Sequence, residues 1–296
     1  MRWKERKDRK MDFYNQEADI HVPDGLGAEE ALARTTVMSI AAHQDDCEIM
    51  AYHAIANCYE SDSEWYTAVV LTDGGGSPRS GGYANYTNHE IHIKRSQEQR
   101  VAADIGKYGA MVQLAYSSAD VRADKRDIIE GELASLLLAA RPHTMFIHNT
   151  ADRHETHLGA CLRALGALRK LPKEARPKRV YGMEVWRSLD WLSAKERLVF
   201  DTSRYPELAK KVIQAFDSQC TPKKRFDLAA LGRRLGNATF QEPREIDESD
   251  SCNLGMDLTP LVEDDTLDIR EFTLEYVKHF YQDVDGLLRQ LGGGNK

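Results

Sequence analysis

Across its first two thirds the chain alternates short apolar runs with longer amphipathic stretches. That alternation admits few folds, because it builds a parallel sheet flanked by helices. The apolar runs at 36–42, 66–72, 111–116, 144–148 and 180–186 have strand length, and the amphipathic stretches at 46–59, 90–108, 125–141 and 156–171 have helix length. In the last of these Leu158, Cys161, Leu162, Leu165 and Leu168 share one helical face, which assigns Cys161 to the core and not to chemistry. The expected fold is α/β: a doubly wound, mostly parallel, Rossmann-like sheet flanked by helices, with a helical C-terminal extension. Such sheets bind ligands beyond the carboxyl ends of their strands, so residues at strand ends carry the most weight.

A length of 296 residues suits one large α/β domain or two modest ones. The 40 Lys and Arg against 47 Asp and Glu give a formal charge of −7. A chain of that sign lacks the overall positive field on which phosphate-backbone binding draws, which argues against nucleic acid as the main partner. No apolar run approaches the ~18 residues of a membrane span. The basic segment 1–14 is not followed by the apolar stretch of a signal peptide, so it is expected to be a solvated arm or a first helical turn. Five cysteines, odd in number and without a CxxC pair, indicate neither a disulfide framework nor a zinc-thiolate site, and point to the cytoplasm.

Beyond about residue 219 the pattern changes. A basic helical stretch, 223–235, leads into 241–265, which holds nine Asp and Glu, one Arg and two prolines and is expected to be a long surface loop. A final helix, 268–291, places Ile269, Phe272, Tyr276, Phe280, Val284, Leu287 and Leu291 at helical spacing, and the glycines at 292–294 end it. It is expected to pack on the main domain or on a second subunit, which would make the protein a homo-oligomer. The expected organisation is an arm over 1–34, a catalytic α/β domain over 35–220, and an extension over 221–296 packed on that domain.

Two clusters carry chemistry. The first strand ends in Ala42-His43-Gln44-Asp45-Asp46-Cys47-Glu48 and runs directly into a helix. His43 and Asp46, three apart across the turn, can reach one ion and leave Asp45 free as a base; the competing reading is that both carboxylates cap the helix. The second cluster, Asp152-Arg153-His154-Glu155-Thr156-His157, follows the apolar run ending at His148 and precedes another helix. Two His and one Asp with open positions are the ligands of a catalytic, not a structural, zinc site. The protease pattern HExxH fails, since His154 and His157 are three apart. The similarly spaced His89 and His92 follow no strand and are assigned to the rim, and His53 to packing.

These motifs resemble those of the LmbE-like zinc deacetylases, also known as the PIG-L family, in which AHPDD and HxxH follow parallel strands in this order. The resemblance covers about 37–219 and includes Asp73-Gly74, the helix carrying Arg95 and Glu98, and Ser218-Gln219. It implies that His43, Asp46 and His157 hold the metal, zinc or ferrous iron. It further implies that Asp45 is the general base and that His154 faces the developing oxyanion. Gln44 replaces the family's Pro, freeing a φ restraint. Thr156 replaces the acid expected to orient the other histidine, a task that falls to Asp152, or failing that to Glu155.

The Gly-rich segment 73–83 lacks phosphate-loop spacing and is expected to be a mobile rim, where Arg79 or Arg95 meets substrate, a structural role for Arg95 within its helix being the equal alternative. Glu184 and Trp186 alternate along the fifth predicted strand, and would contact a sugar if their face lines the cleft or pack in the core if it does not. The expected activity is removal of acetyl from an N-acetylated amino sugar or its conjugate. Rival readings are an amidase acting on a larger acyl group or a thiol conjugate, and a nucleotide- or sugar-binding protein without hydrolytic activity.

Overall fold

The computed structural model describes residues 13–244 and 246–292. The basic segment before residue 13 and the glycines at 293 and 294 lie outside the described residues. In chain order the strands are β1 (Asp19–His21), β2 (Val37–Ala41), β3 (Tyr66–Thr72), β4 (Ala110–Tyr116), β5 (Thr144–His148), β6 (Arg179–Met183), β7 (Leu198–Asp201), β8 (Cys220–Thr221), β9 (Lys224–Arg225) and β10 (Cys252–Asp257). The α-helices are α1 (Ala28–Ala33), α2 (Asp46–Met50), α3 (Tyr52–Cys58), α4 (Asn88–Gly106), α5 (Arg126–Ala140), α6 (Glu155–Lys170), α7 (Pro206–Gln214), α8 (Phe226–Thr239), α9 (Pro260–Glu263) and α10 (Ile269–Leu291).

Eight strands form one sheet in the order β1-β4-β3-β2-β5-β6-β10-β7. The five central strands, β4 through β6, are parallel; β1 pairs antiparallel at one edge, and β10 lies antiparallel between β6 and β7. Both faces are covered, which is why the strands are continuous apolar runs. Met145 and Ile147 of β5 point into a core shared with α5 and α6, while Phe146 between them joins a second core with α2, α3 and α7. Ile269, Phe272 and Tyr276 of α10 rest against the first of these. Among the described residues no helix is long and apolar enough to cross a membrane.

The strand order reverses between β2 and β5, neighbours in register from Val37 with Thr144 to Ile40 with Ile147. Loops leaving the two strands diverge there and open a crevice. The two chemical motifs lie immediately beyond these two strands.

Three expectations need correction. The stretch 46–59 is two helices, broken at Ala51, whose backbone leaves the helical region (φ −118°, ψ 23°). Carbonyls freed near the break are taken by Arg234 of α8, which donates to Glu48 O and, at 3.1 Å, to Ile49 O, and by Asn253 Nδ2 at 3.2 Å from Ile49 O. The fifth predicted strand ends at Met183, before Glu184 and Trp186.

The acidic stretch 241–265 is not wholly a surface loop, because Cys252–Asp257 is a nearly fully buried strand of the main sheet. Its sequence, with Asn253 and Gly255 and no β-branched residue, has little intrinsic strand preference. Pairing on both sides supplies the order instead. A Cβ on Gly255 would lie 2.8 Å from Phe200 Cε2 and 2.9 Å from Met183 Sδ, so only glycine fits between those neighbours.

Candidate active site

The turn after β2 presents its carboxylates in opposite ways. Asp45 sits at φ 89°, a left-handed conformation that costs a non-glycine residue about 1–3 kcal/mol. Its backbone N–H donates to Gln99 Oε1 at 3.2 Å, and its side chain makes no capping hydrogen bond to α2. The Oδ2 of Asp45 is buried, accepts no hydrogen bond among the described residues, and lies 3.4 Å from Arg95 Nη2. Gln44, standing where the family has Pro, ties the turn down from both ends: its Nε2 donates to Thr72 O at 3.0 Å, and its carbonyl accepts from Arg95. Gly74 (φ +66°) makes room for it, since a Cβ there would lie 2.3 Å from Gln44 Oε1.

Asp46 points the other way. Its Oδ2 accepts from His43 N at 2.8 Å and lies 3.2 Å from His43 Nδ1 and 3.3 Å from His157 Nε2. His43 Nδ1 and His157 Nε2 are 3.2 Å apart. A tetrahedral ion with bonds of about 2.0–2.1 Å to N and O has ligand–ligand edges of roughly 3.3–3.4 Å. These three atoms are therefore spaced as one triangular face of such a site.

A neighbouring triangle, Asp46, His148 and His157, has ligand atoms within 4.8 Å of one another, as does His43 with His154 and His157. His148 is fully buried and stacks on His157 at 3.9 Å between ring centroids. Its Nε2 accepts from Ala42 N at 2.9 Å, so that lone pair is engaged. Sequence reasoning passed over His148. Its signal was its place at the end of β5, one residue beyond the pairing of Ile147 with Ile40.

Asp152 does not bond the His154 ring, contrary to expectation. Its Oδ2 lies 3.2 Å from His157 Nδ1, while its Oδ1 accepts only the backbone N–H of His154, at 3.1 Å. Glu155 is exposed and pairs loosely with Arg122 at 3.9 Å. His154 is the N-cap of α6, and its Nδ1 accepts from Thr156 N at 3.2 Å. A backbone N–H thus does what the missing carboxylate was expected to do: it fixes the tautomer, leaving Nε2 to carry the hydrogen. The ring lies between His157, at 4.4 Å, and Trp186, at 6.0 Å.

Burial and charge set the protonation pattern. Burial pushes Asp45 well above the usual carboxylate range, with Arg95 opposing and Asp46 adding to the rise. Burial would raise Asp46 too, but His157, His148 and His43 around its Oδ2 outweigh it and hold Asp46 well below that range. Burial lowers His157 to about 3 and, with His43, lowers His154, so both rings are neutral. Burial would raise Asp152, but the hydrogen bond and charge of His157, together with His148 and the His154 backbone N–H, outweigh it and keep the carboxyl low.

A cavity of about 790 Å³ opens over these groups, lined by His43, Asp45, Asp46, His154 and Trp186 and by the cationic Arg79, Arg95, Arg122, Lys223 and Lys224. Arg79 Nη2 donates to Gly75 O at 2.9 Å and to Asn88, folding the Gly-rich segment on itself. Lys224, unremarked in the sequence, donates from Nζ to Ser77 Oγ at 2.8 Å and Pro78 O at 3.2 Å, and burial with nearby Arg95 lowers it to about 8. Glu184 is not in the cleft: it is fully buried and accepts from Leu254 N at 3.0 Å, Leu189 N at 3.3 Å and Asn237. His92 bonds Asp73 O at 2.8 Å and takes no part in the cluster.

Fold and site together define a Rossmann-like α/β protein with a His–Asp cluster at the switch point of its sheet. Residues 38–181 match the family model described as PIG-L, GlcNAc-PI de-N-acetylase. No individually curated protein matches it. Several solved structures share the fold. N,N'-diacetylchitobiose deacetylase from Pyrococcus horikoshii is 16% identical, covering 77% of this chain and 85% of its own, with a TM-score of 0.61. GalB, the 4-carboxy-2-hydroxymuconate hydratase from Pseudomonas putida KT2440, is 19% identical over 76% and 96%, with a TM-score of 0.57. The A40926 pseudoaglycone deacetylase Dbv21 is 15% identical over 76% and 97%, with a TM-score of 0.54.

Proposed function

We propose that this protein is a metal-dependent hydrolase that removes the acetyl group from an N-acetylated amino sugar or its conjugate. The observation that carries the reading is the split between adjacent carboxylates. Asp46 is drawn low among imidazoles, while Asp45 is raised and buried, its Oδ2 accepting no hydrogen bond among the described residues and facing Arg95 at 3.4 Å. Neighbouring titratable groups pushed apart in this way mark an acid–base pair of roles. His43, Asp46 and His157 would hold the ion, zinc or ferrous iron, with Asp152 orienting His157 from behind. When bound, the ion supplies Lewis acidity to a carbonyl and to water.

The chain's own groups do the rest. Asp45 takes a proton from the attacking water as the carbon–oxygen bond forms, and Arg95 steadies its charge. The N–H at His154 Nε2 donates to the carbonyl oxygen as negative charge develops there. Asp45 then returns the proton to the nitrogen as the carbon–nitrogen bond breaks, releasing acetate and the free amine. Trp186, 41% exposed beside His154, offers a ring for a sugar face. Among the described residues no ion pair joins Arg79, Lys223 or Lys224 to a carboxylate, and this charge favours an amino sugar bearing a phosphate or carboxylate.

The test is to load the purified chain with zinc or ferrous iron and offer N-acetylglucosamine, its 1-phosphate and carboxylate conjugates. Free amine and acetate should appear in equal amounts, and His157→Ala should abolish both. If no amide in the series is cleaved by metal-loaded protein, the reading fails; cleavage only of longer acyl groups would move it to another amidase.

A further inference from the structure

Helix α10 is 23 residues long and none of them is buried. Its first half rests on the body through Ile269, Phe272 and Tyr276, with Phe280 meeting Trp191 at 6.1 Å. A second apolar stripe faces away from the body: Leu274, Val277, Tyr281, Val284, Leu288 and Leu291, at alternating spacings of three and four residues. Exposure along it reaches 69% at Tyr281, 67% at Leu288 and 80% at Leu291. A three–four alternation kept over 18 residues is the seam of a coiled coil, and an amphipathic helix that merely covers a core does not need it on its outer face.

We infer that α10 pairs antiparallel with α10 of a second copy of this chain, and that the protein is a homodimer through this helix. The register follows from the stripe. Placing Tyr281 opposite Val284 of the second copy sets Val277 opposite Leu288 and Leu274 opposite Leu291, every pair centred between Gln282 and Asp283. One side of the seam is then closed by Phe280 near Leu287 of the second copy, and the other by Lys278 near its Asp285, each contact occurring twice by symmetry. In a parallel pairing Lys278 and Asp285 would not meet. Both now bond within their own helix, to Glu275 at 2.6 Å and Arg289 at 2.7 Å, exposed pairs that exchange at little cost. A lipid surface fits less well, because Arg270, Lys278 and Arg289 are outnumbered by Glu271, Glu275, Asp283 and Asp285, whereas surface-bound helices present a basic face.

Light scattering on the full chain should give twice the chain mass. Leu288→Asp should halve the mass, while Gln290→Asp, which adds the same charge outside the seam, should not. Lys278→Asp should weaken the dimer about tenfold, and combining it with Asp285→Lys should restore it. Near-ultraviolet circular dichroism unchanged in Leu288→Asp shows that the body is intact. A wild type of single-chain mass, a mass unaffected by Leu288→Asp, or a double variant no tighter than Lys278→Asp overturns the inference. So does a monomer that binds anionic vesicles through Leu288.

Discussion

Asp152 grips the ring of His157 and not that of His154: its Oδ2 lies 3.2 Å from His157 Nδ1 with both side chains fully buried. That contact turns His157 so that Nε2 faces His43 and Asp46. Asp152 therefore acts on the ion through its ligand. Asp152→Asn should weaken zinc binding by about 10–100-fold, the range for partners behind a metal ligand. A chelator competition titration reads this directly. Unchanged affinity with a displaced pH–rate profile would instead tie Asp152 to His154.

Asp45 and Asp46 should separate cleanly. Asp46→Ala should lose metal and turnover together. Asp45→Asn should keep its metal and lose about 10²–10⁴-fold in kcat, the usual loss for a removed general base. Because Asp45 is buried and raised, its ionisation opposes folding at neutral pH, so Asp45→Asn should also melt higher than wild type in chelator. A metal-replete Asp45→Asn that retains more than about a tenth of wild-type kcat would sink its role as base.

Glu48 predicts a pH dependence of the metal-free fold. Burial raises it from 4.5 to about 7, although Tyr108 and Gln99 each donate to its Oε1 at 2.7 Å. The folded state then holds a proton that the unfolded state gives up first. Its contribution is fully present below about pH 4.5 and is lost as pH rises through about 7, a span worth about 3 kcal/mol. Between those limits melting temperature in chelator should fall more steeply with pH for wild type than for Glu48→Gln. Parallel curves would show that Glu48 does not titrate there.

Lys224 should discriminate between substrates. Lys224→Ala should raise KM about tenfold or more for an N-acetyl sugar phosphate and leave the neutral sugar unchanged, since a hydrogen bond to a charged group is worth about 1.5–3 kcal/mol. The same preference in wild type should fade as pH rises through about 8, where the amine loses its charge. Equal losses on both substrates would mean that Lys224 serves only to hold Ser77 and Pro78.

The sequence by itself determined the layer architecture and the address of the site. Strand-length apolar runs alternating with amphipathic stretches specify a parallel sheet buried on both faces, and His43, Asp46 and His157 are legible as neighbours because both motifs follow strands directly. What the tertiary structure decided depends on partners distant in the chain. The task expected of Asp152 passed to the Thr156 backbone because the start of α6 aims that N–H at His154 and leaves the carboxylate facing His157. Glu184 went to the core because β6 stops at Met183 and β10, arriving from some seventy residues later, supplies Leu254 N to its carboxylate. Periodicity reports the two faces of an element, whereas hydrogen-bond partners and desolvation are set by which elements the fold brings alongside. For that reason Asp45 and Asp46, adjacent in sequence, acquire opposite character only in the folded chain.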